Sequence, residues 1–381
     1  MNQHVQVTGL KPGVTRYPRY DGAALGFEHY WYPVMRSNKL KANKPVALTL
    51  FGEKIMFYRD NGKAYALHDR CPHRGIKISI GKQEFPGTFT CRYHGWTFDL
   101  ESGKVVAALT DGPDSKVCGN TGVRTYPVEE RAGFIWIYNG TDEPPPVEAD
   151  IPSEFLRDDA RIMTRVTERP GDWRHGAENG YDEGHGKYLH RFSWWVYPTI
   201  APAWVHSNIA DVGEGWIVRK STDFSYQSDY PGLGLWPKQK AKQAKRPLGH
   251  VSIRLPGVLR TKQKSGWAHF EWYVPTTVGH HRYIQVICKN TSFLDGLKLR
   301  LQYWTYIRWL FHVAFNNEDA QVVEMMETPP ELLYRPDMTI IGWRRMCENA
   351  RGAGIESRDD PDQVILDDFS QPTAATTSTP S

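Results

Sequence analysis

From about Tyr30 to Tyr138, hydrophobic and polar residues alternate in short runs: VALTLFG, KIMFYRD, KAYALHD and GFIWIYN. Alternation with a period of two over so few residues marks a strand with one face buried. Turn signals such as Asp60-Asn61-Gly62 and Glu101-Ser102-Gly103 separate the runs, so this stretch is read as all-β. The segment 140–152, with Pro144-Pro145-Pro146 inside it, reads as a linker. Beyond it the pattern changes. Residues 172–192 mix helix formers with four glycines, and strand candidates lie at 250–258, 267–275 and 281–289. The turn TTVGH joins the last two. A long helix is expected from about Leu294 to Glu327, along which Leu297, Leu301, Trp304, Leu310, Phe311, Ala314 and Phe315 recur at roughly helical spacing. The last residues, 370–381, have no apolar pattern and are expected to be disordered.

Length changes this picture little: 381 residues suit two domains. Charged residues at 24% and hydrophobic residues at 40% are ordinary for a soluble globular chain. The 14 Trp, 19 Tyr and 15 Phe fit either large cores or an aromatic-lined pocket. A net charge of +4 is too mild to argue for nucleic acid. No apolar run is long enough to span a bilayer, and the start MNQHVQVTGLKPGV lacks the apolar stretch of a secretory signal. Five sparse cysteines argue against a disulfide framework, which leaves the cytoplasm as the expected compartment. The basic run KQKAKQAKR at 238–246 reads as a solvated loop, with docking of an acidic electron-transfer partner as its functional alternative.

Chemistry enters with two Cys-His pairs. Cys71-Pro-His73 and Cys91-Arg-Tyr-His94 each follow a strand-like run, with residues 74–90 between them. Two such loops can pinch one centre, either a structural zinc or an iron–sulfur cluster. A zinc knuckle usually pairs Cys with Cys and His with His. One Cys with one His on each loop lets both thiolates take one iron and both imidazoles the other. Neutral imidazole in place of thiolate raises the cluster potential to about −150 to +300 mV, against about −400 mV for all-thiolate ferredoxins. Cys118, Cys288 and Cys347 have no such partner and are read as buried hydrophobes.

A second constellation lies at His185 and His190, in ENGYDEGHGKYLH. A mononuclear iron needs two His and one carboxylate on one face, with the other face open. Five residues along a regular helix turn about 500°, which leaves the two imidazoles about 140° apart. Both can reach one metal only if the helix is bulged or broken there, and Gly184 and Gly186 permit that. Asp319 in FNNEDAQVVEMME is the chosen carboxylate, with Glu183 and Glu318 as rivals; His175 is read as surface. Asp182, three residues before His185, can accept a hydrogen bond from that imidazole. Phe315 and Asn316 stand one helical turn before Asp319 and are expected to face a substrate. Gly180, without a side chain, would let a ring approach and offer its carbonyl to a ring N–H.

The loops C-P-H-R-G and C-x-x-H-G-W resemble those of the Rieske non-haem iron aromatic-ring-hydroxylating oxygenases. The pattern Asp182-x-x-His185-x-x-x-x-His190 and the late Glu-Asp resemble that family's iron site. Further segments (HYWYPVM, YPVEE, LPGVL, FEWYVP, FNNED) are most similar to the carbazole-type branch. The five-residue step between the histidines differs from that branch's four, which bears on the substrate rather than on metal binding. The resemblance implies an α+β fold with an all-β Rieske domain at 29–145 and a helix-grip catalytic domain with an antiparallel sheet at 146–369. Residues 1–28 would pack on the catalytic domain. It implies a 2Fe-2S cluster on Cys71, His73, Cys91 and His94, and Fe(II) on His185, His190 and Asp319. Asp182 would link His185 to His94 of a neighbouring subunit in a head-to-tail homotrimer. It also implies electrons from a ferredoxin, with an NADH-dependent reductase upstream, and addition of both atoms of O2 to an aromatic ring, angular on a carbazole-like substrate. The chain itself has no complete G-x-G-x-x-G fingerprint for a nicotinamide cofactor. Monooxygenation or demethylation is the alternative within the class. A Rieske electron carrier and a zinc-stabilised binding module are the alternatives outside it.

Overall fold

The alternating runs of the first region pair as hairpins because their separators can turn. Its strands are β1 (Tyr30–Arg36), β2 (Val46–Leu50), β3 (Glu53–Asp60), β4 (Lys63–His68), β5 (Thr88–Thr90), β6 (Trp96–Asp99), β7 (Val105–Ala108), β8 (Val128–Arg131) and β9 (Phe134–Asn139). Between β3 and β4, Asn61 and Gly62 take φ of 46° and 84°, as a two-residue primed turn requires. The strands form three antiparallel sheets, ordered β1-β9-β8, β2-β3-β4 and β5-β6-β7. The structure, a computed structural model, describes residues 16–182, 184–193, 195, 207–221, 250–263, 265–327, 333 and 337–357. The basic run at 238–246, the tail at 370–381 and Glu183 lie outside the described residues.

Ahead of these strands comes a short helix, α1 (Pro18–Asp21). The second region holds β10 (Ala160–Pro170), α2 (Trp173–Tyr181), α3 (Gly186–Leu189), β11 (Ser207–Asp211), β12 (Ile217–Ser221), β13 (His250–Arg254), β14 (Val258–Lys262), β15 (Ala268–Thr277) and β16 (His280–Asn290). After them run α4 (Phe293–Gln302), a π-helical segment (Tyr303–Phe315), α5 (Asn316–Met325) and α6 (Met338–Cys347). Among the described residues the strands form one seven-stranded antiparallel sheet, ordered β10-β16-β15-β14-β13-β12-β11. The expected α+β architecture is therefore present.

Two expectations need correction. The run 250–258 is not one strand but the hairpin β13–β14. Pro256 has no N–H to give a ladder, and Gly257 takes φ 126°, where a Cβ would lie 2.7 Å from the Trp173 ring. The long helix is continuous in course but not uniform in winding, and its buried stripe is not the one read at α-helical spacing. Leu297, Leu301 and Trp304 stand exposed, whereas Leu299, Tyr303 and Ile307 are buried, with Phe311 packed against them. The buried residues recur every four positions. In an α-helix that spacing drifts by about 40° a step; the wider winding of a π-helix keeps them closer to one line.

Strand β15 serves both faces of the sheet. Phe270 and Trp272 meet Phe155 and Trp136, with ring centroids 4.8 Å and 6.2 Å apart. Tyr273, on the opposite face, lies under helix α2, where a Cβ on Gly176 would sit 2.4 Å from its ring. One core spans both regions, from Tyr30 and Trp136 through Trp173 and Phe270 to Trp343, and a second, around Cys71, Phe89, Cys91 and Phe98, belongs to the first region alone. Backbone bonds cross between the regions: the Phe51 and Gly52 amides donate to the carbonyls of Pro275 and Thr276 at 3.0 and 2.8 Å. The Trp173 indole N–H donates to the Ala23 carbonyl at 2.7 Å.

Candidate active site

The two Cys-His loops close in the same way. The Cys71 amide donates to the Ile76 carbonyl and Gly75 returns a bond to the Cys71 carbonyl; Cys91, Trp96 and Gly95 repeat this. Gly75 and Gly95 take φ of 70° and 66°, which favours glycine at both turns. The loops therefore present their four side chains together. Cys71 and Cys91 are buried, and each thiol touches the other. Their hydrogen bond pushes the Cys71 thiol up and draws Cys91 down to about 6. The rings of His73 and His94 lie 4.4 Å apart, and His73 stacks on Trp96 at 5.0 Å. Thiols inside and imidazoles outward is the arrangement a Rieske cluster needs. Cys288 and Cys347 are buried hydrophobes, as expected, and Cys118 packs at the edge of the core.

The second site forms where α2 ends. Asp182 caps α2, and its carboxylate accepts from the amides of Gly184 at 2.7 Å and His185 at 3.0 Å. A new turn, α3, then starts at Gly186, with His185 before it and His190 after it. The break falls ahead of both ligands, where α2 ends; between His185 and His190 the chain makes one short helical turn, and not the break expected from their five-residue spacing. His185 Nε2 and His190 Nε2 come within 3.5 and 3.2 Å of Asp319 Oδ1, and the three ligand atoms all lie within 4.8 Å of one another. Two imidazole nitrogens and one carboxylate converging on one point fit an iron(II) with open positions.

Each imidazole is held from behind. His185 Nδ1 lies 2.9 Å from Asp182, and His190 Nδ1 lies 2.7 Å from Glu318. Glu318, a rival carboxylate in the sequence, therefore orients a ligand instead of being one. Ser193 donates to Glu318 and Asn179 to Asp319 at 3.0 Å; neither was singled out from the sequence. Burial disfavours charge on both rings, yet Asp182 and Asp319 lift His185 to about 9, and Asp319 raises His190. Burial also opposes the Asp319 charge, but the two imidazoles hold its carboxyl well below the usual range. Asp182 is lowered too, its burial outweighed by His185 and the two amides.

Of the expected substrate residues, Phe315 touches one of the two histidines, Asn316 bonds into the sheet and Gly180 packs on it. Phe315 stacks on His190 with centroids 4.0 Å apart. Asn316 is buried and donates to Glu271 at 2.8 Å. A Cβ on Gly180 would lie 2.2 Å from Leu259 Cδ1, so packing of α2 on β14 itself demands glycine there.

A Cys-His pair on each of two loops, and a two-histidine, one-carboxylate triad gripped between helices and sheet, define a two-centre Rieske oxygenase. Comparison with known proteins agrees. A Rieske [2Fe-2S] domain model matches residues 30–127, and a homotrimeric ring hydroxylase model matches 138–203 and 222–354. The terminal oxygenase component of carbazole 1,9a-dioxygenase from Metapseudomonas resinovorans is 31% identical over 367 residues, covering 89% of this chain and 94% of that one. Its counterpart from Sphingomonas is 32% identical over 371 residues, covering 89% and 96%. The solved terminal oxygenase from Nocardioides aromaticivorans IC177 superposes with a TM-score of 0.77 at 29% identity, over 90% of this chain and 99% of that one. The chain belongs to the Rieske ring-hydroxylating oxygenases. Its cofactors are accordingly a [2Fe-2S] cluster and a mononuclear iron. No helix among the described residues is long and apolar enough to cross a membrane.

Proposed function

We propose that this chain is the terminal oxygenase of a multicomponent dioxygenase that adds both atoms of O2 to adjacent carbons of a fused aromatic ring system, with a carbazole-like heteroaromatic as the expected substrate. The observation that carries the reading is the convergence of His185 Nε2, His190 Nε2 and Asp319 Oδ1, each imidazole fixed by its own carboxylate. Relatives that match the chain nearly end to end act on carbazole. A solved relative is a reduced complex of such an oxygenase with its ferredoxin, which supports a ferredoxin as the electron donor here, with an NADH-dependent reductase upstream.

The cluster supplies electrons singly and the iron supplies oxygen activation. Conversion of ring and O2 to a cis-diol takes up two electrons and two protons. The residues of this chain orient and connect. Cys71, His73, Cys91 and His94 hold the cluster, with the imidazole edge outward. Phe315, stacked on His190, offers the substrate a flat apolar wall. Gly180 lends its carbonyl to a ring N–H, and Asn316 borders the same space. Asp182 has one carboxylate oxygen on the His185 imidazole and the other on the Gly184 amide. Spare acceptor capacity lets it take the N–H of His94 from a neighbouring subunit of the trimer.

The test is product analysis with ¹⁸O2, ferredoxin, reductase and a panel of fused heteroaromatics. A cis-diol, or its ring-opened product, carrying two labelled oxygens is expected. One labelled oxygen, or loss of a methyl group from a methoxylated ring, would replace dioxygenation by monooxygenation or demethylation.

A further inference from the structure

The sheet face beneath the helices carries polar groups that the iron site does not use. His269 and Glu271 come from β15, Gln285 from β16, and His312 and Asn316 from the π-segment and the start of α5. All five are buried. They are contiguous. The rings of His269 and His312 stack at 4.9 Å, Asn316 donates to Glu271 at 2.8 Å, and Arg165 Nη1 bonds Gln285 Oε1 at 3.0 Å and also the His312 carbonyl. Yet His269 Nε2, His312 Nε2, Gln285 Nε2 and Asn316 Oδ1 have no hydrogen-bond partner among the described residues. Buried polar atoms are nearly always satisfied. Four orphans in one cluster mark a place where something else binds.

The bonds already made fix the roles of two orphans: Gln285 accepts through Oε1 from Arg165, which leaves Nε2 a donor, and Asn316 donates through Nδ2 to Glu271, which leaves Oδ1 an acceptor. The Tyr303 hydroxyl lies 3.1 Å from His312 Nδ1. Either partner can donate, so His312 Nε2 is a donor in one tautomer and an acceptor in the other. His269 Nδ1 lies 3.9 Å from the Glu271 carboxylate. That is too far for a hydrogen bond, so it leaves both tautomers of His269 open. Burial lowers the proton affinity of both rings, so both are neutral. One donor beside one acceptor matches a group that both accepts and donates. A hydroxyl does; a carboxylate or a bare C–H edge does not.

Position sets the substrate's length. His312 precedes Asp319 by seven residues on the same helical rod, which is roughly 10 Å along the axis. That exceeds one ring and suits a fused system with one end at the iron and the other at the histidines. We propose that the enzyme's substrate is a fused aromatic carrying a ring hydroxyl at the end remote from the iron, seated against the Nε2 edges of His269 and His312. This deepens the proposed function and rests on it.

The experiment compares a hydroxylated and an unsubstituted member of one ring system, such as hydroxydibenzofuran and dibenzofuran. Binding to the iron-loaded enzyme is followed without oxygen, and product formation with ferredoxin and reductase. The hydroxylated compound is expected to bind at least about tenfold tighter, and His312→Phe to bring that ratio close to one. Equal affinities in the wild-type enzyme would overturn the proposal whatever the variant does, as would a folded His312→Phe that keeps the preference. Oxidation of both compounds with equal efficiency sinks the hydroxyl inference alone. Oxidation of neither, nor of any fused aromatic tried, sinks the reading of the function instead.

Discussion

Asp182 and Glu318 stand in matching places, each behind one histidine, but their removal should read differently. Glu318→Ala leaves His190 without the acceptor that sets its tautomer, and iron affinity should fall about 10- to 100-fold. Iron analysis against cluster absorbance checks this, since the cluster loops are untouched. Asp182→Ala should leave the cluster's colour and its reduction by ferredoxin intact while product formation collapses. Iron loss that added Fe(II) reverses would mean that Asp182 only orients His185. Phe315→Ala should shift which ring carbon is oxidised, and unchanged product ratios would take Phe315 out of the pocket. The two histidines of the triad are legible because spacing within a short motif carries them, whereas Asp319 rests on the resemblance of its Glu-Asp pair. The role of Glu318 is not legible, because two adjacent carboxylates look alike until the fold decides which one faces the imidazoles' Nε2 atoms. His269 and His312 escaped notice because they meet across a strand and a helix. Alternation in WAHFEWYVP held a hint, since it puts His269, Glu271 and Tyr273 on one face of a core strand.

Among the elements, the π-segment bears most directly on the chemistry, because Asp319 follows it. Its winding decides which way the carboxylate points when it reaches the histidines. Deleting Val313 should rotate everything beyond by roughly a quarter turn relative to the sheet. The expected variant keeps its cluster and its far-ultraviolet spectrum but binds no mononuclear iron. Normal iron content would show that the helix re-registers at no consequence to the site. The strands of the first region were readable because alternation and turn residues agree there. The helical rod was misread because a period of 3.6 was assumed where the chain winds more widely, so Leu297, Leu301 and Trp304 were placed on the stripe that Leu299, Tyr303 and Ile307 occupy. The hairpin at 250–262 is hidden for a different reason: Pro256-Gly257 lies inside an apolar run, which masks it as a turn signal.

For the whole molecule, buried neutral histidines make stability depend on pH. His281 donates to the Gly171 carbonyl; burial, aided by Arg169 and opposed by that carbonyl and Asp172, lowers it to about 4. Unfolded, it titrates near 6.5. Its neutral form therefore contributes stability that is complete above about 6.5 and is lost as pH falls towards 4, amounting to about 3 kcal/mol at most. Thermal melts across that window should show the decline, and His281→Gln should flatten it; parallel curves would assign the slope to other groups. The shared core and the amides of Phe51 and Gly52 on strand β15 have a consequence of another kind. The cluster-bearing head is bolted to the catalytic sheet and cannot swing between donor and acceptor as a hinged carrier does. Calorimetry should therefore record a single endotherm, with bleaching of the cluster and release of the iron at the same temperature; two resolved peaks would mean that the head comes loose on its own.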